Sequence, residues 1–197
     1  MKNIIGFAII TLVSLASCQK KINTEKIDPP VGDTTRFVKY IIKKGDQYSN
    51  YSSFTHVDID QLSFIVKFDS SAIYKTIDPN NQNDINKLLG FSDNNALHHD
   101  FSARFGWNWR KDALYLYAYN YNNGVRSSKS LGTIELGTEN SCSIKVSGSS
   151  YIFTLNGNSL IMPRESTTPI GSGYKLYPYF GGDEVAPHTI SIWIKEL

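Results

Sequence analysis

The stretch Ala113–Gly124, ALYLYAYNYNNG, places Tyr115, Tyr117, Tyr119 and Tyr121 at every second position, with Leu114, Leu116 and Ala118 between them. A period of two belongs to a β-strand, whose successive side chains point to opposite faces of a sheet. All four phenols therefore share one face, and the leucines and alanine share the other. Asn122-Asn123-Gly124 closes the stretch, and Asn-Gly tolerates the positive φ of a tight turn, so the chain reverses there.

The same grammar runs through most of the chain. TRFVKYIIKK, QLSFIVKF, DFSARFGWNWR, KSLGTIELG, SCSIKVSG, SYIFTLNG, SLIMPR, YKLYPYFGG and HTISIWIKEL are short runs rich in β-branched and aromatic residues, the composition of strands. Ser147-Gly148, Asn156-Gly157-Asn158 and Gly181-Gly182 supply further turns. One stretch, NQNDINKLLG (81–90), reads as a short helix with Gly90 as its terminator. Close-spaced strands of this kind predict an all-β, two-sheet antiparallel β-sandwich with one short helix, formed by a single domain over residues 36–197.

Neighbouring strands indicate which face of the tyrosine strand is core. In DFSARFGWNWR, Phe101, Ala103, Phe105, Trp107 and Trp109 share one face and Ser102, Arg104, Asn108 and Arg110 the other. Arginines are rarely buried without partners, so the aromatic face goes inward. In HTISIWIK the inward set is Ile190, Ile192 and Ile194, leaving Trp193 outward; in GTIELG, Ile134 and Leu136 turn in and Glu135 turns out. By the same logic the leucines of the tyrosine strand are core and the phenols face outward. The competing orientation seals the tyrosines inside, and both faces are apolar enough for either.

With the phenols outward, Arg104, Asn108, Tyr115, Tyr117, Tyr119, Tyr121, Glu135 and Trp193 form one candidate ligand surface, provided their strands belong to one sheet. Sugar rings stack apolar C–H faces on aromatic rings, and their hydroxyls need fixed donors and acceptors such as arginine and asparagine. Arg104 also suits a uronic acid carboxylate or a sulfate. The alternative is a plain cross-strand tyrosine ladder.

The N-terminus, MKNIIGFAIITLVSLASCQKK, has a positive Lys2 and an apolar run from Ile4 to Val13, too short for a permanent membrane span. It ends in Leu15-Ala16-Ser17-Cys18, which resembles a bacterial lipobox: residues 1–17 are then a cleaved signal peptide and Cys18 carries the lipid. Several acyl chains give stable anchoring where one is marginal. Residues 18–35 are polar, include Pro29-Pro30 and read as a flexible tether reaching at most about 55 Å. Gln19 in place of an aspartate points to the outer membrane of a cell envelope. Cleavage removes one cation, so the net charge falls from +2 to +1, and no basic cluster suggests nucleic acid. Cys142 then has no partner for a disulfide and reads as a small buried residue.

SYIFTLNGNSLIMPR resembles the hairpin of concanavalin A-like lectin and laminin-G-like jelly rolls, and YPYFGGDEVAPHTISIWI is similar to their final strand. From YIIKKGDQYS through ARFGWNW to YPYFGGDEVAPH, the mature chain resembles a group of Bacteroidetes lipoproteins. The resemblance implies a jelly roll, whose functional analogues are glycan-binding modules, glycan lyases and endoglycanases.

Glycoside hydrolysis needs two carboxyl groups about 5–10 Å apart. No strand carries such a pair: Glu135 stands alone, and Asp183 and Glu184 lie in a glycine turn. A lyase needs a carboxylate-neutralising Arg or Asn and a Tyr or His base; Arg104, Asn108, His98, His99 and Tyr117 are of those types, but the strand motifs of jelly-roll alginate lyases are absent. Adjacent His98 and His99 cannot chelate one metal from a regular strand, and no histidine pair has zinc spacing. Asp183 and Glu184, with the Gly181 and Gly182 carbonyls, are calcium candidates set against a plain surface turn. No other cofactor is implied. The expectation is a non-catalytic carbohydrate-binding lipoprotein. The alternatives are a lyase or hydrolase of the same fold, and a module whose tyrosine strip docks an envelope protein.

Overall fold

In the computed structural model, which describes residues 36–197, the tyrosine stretch is the strand Ala113–Asn122. It turns through Asn123 (φ 48°) and Gly124 (φ 78°) into the strand Val125–Ile134. Among the described residues there are twelve strands: β1 Val38–Ile42, β2 His56–Ile59, β3 Gln61–Phe68, β4 Asn86–Ser92, β5 Ser102–Arg110, β6 Ala113–Asn122, β7 Val125–Ile134, β8 Asn140–Ser147, β9 Ser150–Leu155, β10 Asn158–Pro163, β11 Gly171–Leu176 and β12 Ile190–Glu196. They form two six-stranded antiparallel sheets, in the orders β1-β12-β3-β8-β9-β10 and β2-β11-β4-β5-β6-β7. This is the expected jelly-roll sandwich.

The core lies between the sheets. Leu114, Leu116 and Ala118 of β6 and Ala103, Phe105 and Trp107 of β5 are buried there, as the alternation predicts. From the facing sheet, Phe64 meets Phe105 edge-on at 5.4 Å, Phe153 meets it at 5.5 Å, and Phe68 meets Trp107 at 5.3 Å. Such aromatic pairs add about 0.5–1.5 kcal/mol each beyond the area they bury. Cys142 is buried in the same core, and burial pushes its thiol pKa up.

The expected helix is corrected. Pro79–Asn83 forms a 3-10 turn capped by the Asp78 carboxylate, and Asn86–Ser92 continues as strand β4 in the middle of its sheet. Among the described residues the only other helical piece is the 3-10 turn Ser70–Ala72. Leu88 and Leu89 mimic a helical pattern because both are fully buried, and a register shift between Lys87 and Gly90 accommodates them. The signal peptide of residues 1–17, the tether of 18–35 and Cys18 lie outside the described residues.

One polar tie crosses the core. Asp93, just past β4, accepts from Arg164 Nε at 2.7 Å and Nη2 at 3.2 Å, and from the Tyr151 hydroxyl at 2.6 Å. The Ser172 amide and the Thr168 hydroxyl donate to its other oxygen, each at 3.1 Å. Both partners of this ion pair are sealed from water. Burial alone would raise the Asp93 pKa, but Arg164 and Tyr151 outweigh it and hold the carboxyl below its ordinary value.

Candidate functional site

The outward face of the second sheet carries a cavity of about 610 Å³. Its floor is built by cross-strand register: Arg104 of β5 pairs with Tyr119 of β6 on one side and Gly90 of β4 on the other. Ser102 pairs with Tyr121, and Tyr121 with Arg126 of β7. A Cβ on Gly90 would stand 2.2 Å from that of Arg104. The absent side chain therefore makes room for the arginine stem, a close-approach role rather than a helix stop.

Arg104 is only 6 % exposed. Its Nη2 donates to the Tyr177 carbonyl at 3.0 Å, while its buried Nε has no partner within the described protein. Burial pulls its pKa down to about 10 despite the surrounding phenols. Lys87 of β4 donates to the Gly181 carbonyl at 2.8 Å and sits 5.4 Å from the Tyr119 ring centre. Burial, with Arg104 and Arg126 nearby, lowers its pKa to about 8. Lys175, also in the lining, is neutralised by Glu196. The described lining contains no aspartate or glutamate.

Aromatic side chains form the walls. Phe54, 79 % exposed on the loop before β2, stacks on Tyr174 at 4.7 Å. Tyr48 meets Tyr179 edge-on at 4.9 Å. His98 accepts or donates through Nδ1 to the Tyr174 hydroxyl at 2.7 Å, and its ring lies 4.2 Å from that of His99. Burial first, then His99 and Arg104, lower the His98 pKa to about 4, so it is neutral near pH 7.

The candidate residues separate into three groups. Arg104, Tyr119 and Tyr121 line the cavity. Asn108, Tyr115 and Tyr117 share its sheet face but lie beyond it: Tyr117 donates to Asn108 Oδ1 at 3.1 Å, and Tyr115 sits 4.2 Å under the Arg110 guanidinium. Glu135 stands exposed just past β7, outside the lining. Trp193 belongs to β12 in the other sheet, so the one-surface assumption fails for it.

The phenols face away from the sandwich core, yet Tyr117 and Tyr119 are only 7 % and 3 % exposed. The expected open strip is thus corrected: over Tyr119 and Tyr121 it is a groove walled by residues 52–54 and 177–179, and Tyr117 beyond it is buried beside Asn108. The groove also uses residues that local pattern did not single out: Lys87, Arg126, Tyr174 and the Phe54 loop. As for calcium, both Glu184 oxygens accept from the chain, at 2.8 Å from the Ile77 and Asp78 amides and 2.9 Å from Asn81. Among the described residues no cluster of His, Cys, Asp or Glu is arranged to hold a metal.

No family model and no curated protein sequence matches this chain. Solved structures do resemble it. The alginate lyase AlyC3 superposes with a TM-score of 0.54 at 10 % identity, over 82 % of this chain and 74 % of that one. The laminarinase catalytic domain of Thermotoga maritima gives 0.54 at 11 % identity, over 81 % and 75 %. The endo-1,3-beta-glucanase catalytic domain of Thermotoga petrophila gives 0.54 at 10 % identity, over 81 % and 75 %. At these identities the likeness establishes a shared jelly-roll fold.

Proposed function

We propose that this protein is a cell-envelope lipoprotein, anchored through Cys18 in the outer membrane, whose groove binds an acidic carbohydrate without cleaving it. One observation carries the reading: three cations, Lys87, Arg104 and Arg126, share a lining with Tyr119, Tyr121 and Tyr174 and with no carboxylate. Phenol faces accept the C–H surface of a sugar ring. Planar guanidinium groups match carboxylate or sulfate oxygens, and within the described protein the Arg104 guanidinium makes a hydrogen bond only to the Tyr177 carbonyl. The solved proteins sharing the fold include an alginate lyase and laminarinases, which agrees with a polysaccharide ligand.

Hydrolysis needs a carboxyl pair, and the described lining holds none. A lyase reading draws on the cavity's Arg104, phenols and His98. The test is calorimetry of the protein against uronate-containing, sulfated and neutral glycans, with absorbance of unsaturated ends followed in parallel. Retention of acidic glycans without new ends supports the binder. Rising absorbance converts the site to a lyase, and binding of neutral glycans alone removes the electrostatic argument.

A pH dependence follows from Lys87. An anionic ligand prefers the protonated amine, and the free-state pKa is about 8. Affinity for an acidic glycan is therefore expected to be steady below that value and to fall above it, by up to about tenfold per pH unit. Lys87→Gln should be weaker at neutral pH and should lose the fall above pH about 8. An unchanged profile in that variant would exclude Lys87 from the ligand contact.

A further inference from the structure

The outward face of the first sheet has a charge pattern that the groove does not explain. Lys39 of β1, Trp193 of β12 and Lys67 of β3 stand in one cross-strand row. Lys195 and Ile65 stand in the next. Farther along, Lys145 pairs with Ile152, and Ile152 with Ile161. The residues alternating with the core set on all six strands include four lysines and no carboxylate; the others are Gln, Ser, Thr, Pro, Ile and Trp. Phe37 lies on this face, with the Lys67 and Lys195 amines 5.1 and 5.6 Å from its ring. Phe37, the second of the described residues, thus belongs to the same face as the lysines.

We propose that this sheet face rests on anionic lipid headgroups. The proposal rests on the lipid anchor read at Cys18. Lysine amines reach headgroup phosphates, and Trp193 and Phe37 suit the interfacial layer where aromatic rings settle. The sandwich then turns its groove away from the bilayer, towards material outside the membrane. Four lysines spread over the face with no carboxylate among them favour a uniformly anionic lipid surface, which needs no matched shape, over a folded partner.

The full acylated chain is placed in vesicles of phosphatidylcholine alone and of phosphatidylcholine with phosphatidylglycerol. Lysines are acylated briefly with a water-soluble reagent and read by mass spectrometry. Lys39, Lys67, Lys145 and Lys195 are expected to be protected only with the anionic lipid and to recover at high salt, while Lys111 and Lys129 do not change. In a Cys18→Ser chain, Lys67→Glu with Lys195→Glu should weaken binding to the anionic vesicles by at least about fivefold per lysine. Equal protection in both vesicles, protection of Lys111 and Lys129 instead, or equal protection by a soluble polyuronate overturns the proposal. The mass of the Cys18 peptide reports acylation separately, so failure of the anchor and failure of the face are distinguishable.

Discussion

Asp93→Ala is expected to lower the unfolding free energy by about 3–5 kcal/mol, read from denaturant midpoints at an unchanged slope. The substitution leaves the Arg164 guanidinium sealed from water without its counter-ion. It also strips an acceptor from the Tyr151 hydroxyl, the Thr168 hydroxyl and the Ser172 amide. The range covers the whole truncation: the Arg164 charge left uncompensated, together with the orphaned Tyr151 hydroxyl and Ser172 amide at about 1–3 kcal/mol each, while the Thr168 hydroxyl keeps the Ile170 carbonyl as an acceptor. Arg164→Met should be similarly harmful. The double variant should recover part of the loss, because replacing a whole buried ion pair with apolar groups is often near neutral. If the two single effects simply add, Asp93 and Arg164 do not act as a pair.

The same carboxyl makes stability pH-dependent. Its folded pKa is depressed, so its contribution is present above the ordinary carboxylate pKa and is lost as pH falls through the lowered value. His98 acts in the same direction at milder acidity. Its folded pKa of about 4 lies below the unfolded 6.5, so the unfolded chain binds the extra proton and stability declines as pH drops through that interval.

The second large effect is on binding. Arg104→Met should weaken an acidic glycan by at least about thirtyfold, the loss expected when one member of a desolvated charge pair is truncated. Methionine retains the length of the stem beside Gly90 and removes a charge buried at considerable cost, so the thermal midpoint should hold or rise. Affinity for a neutral glycan of the same length should change much less. Acidic-glycan affinity within threefold of the parent, measured on a folded variant, would move the ligand out of this groove (about 0.7 kcal/mol being too little for such a pair).

Most strands were legible because alternation is a local property. QLSFIVKF became β3 at its expected bounds, and the tyrosine stretch put its leucines in the core. The failures were also local in origin. Leu88 and Leu89 obscured the period of β4 because a register shift, set by the paired strand, turns both inward. The short β2 carries too few apolar residues to stand out.

What the chain's own pattern determined was the sandwich, since alternation along each pleated strand follows from side-chain order. For β6 that order left both faces open, and only the neighbouring strands pointed to the leucine side, which the fold buries. Which strands share a sheet is decided by pairings between residues far apart in sequence, and no local period encodes them. That is why Trp193 parted company with Arg104, while Lys87, Tyr174 and the Phe54 loop joined it. Tertiary structure alone also turned the tyrosine face from an open strip into a groove, because its walls come from loops folded back over the sheet.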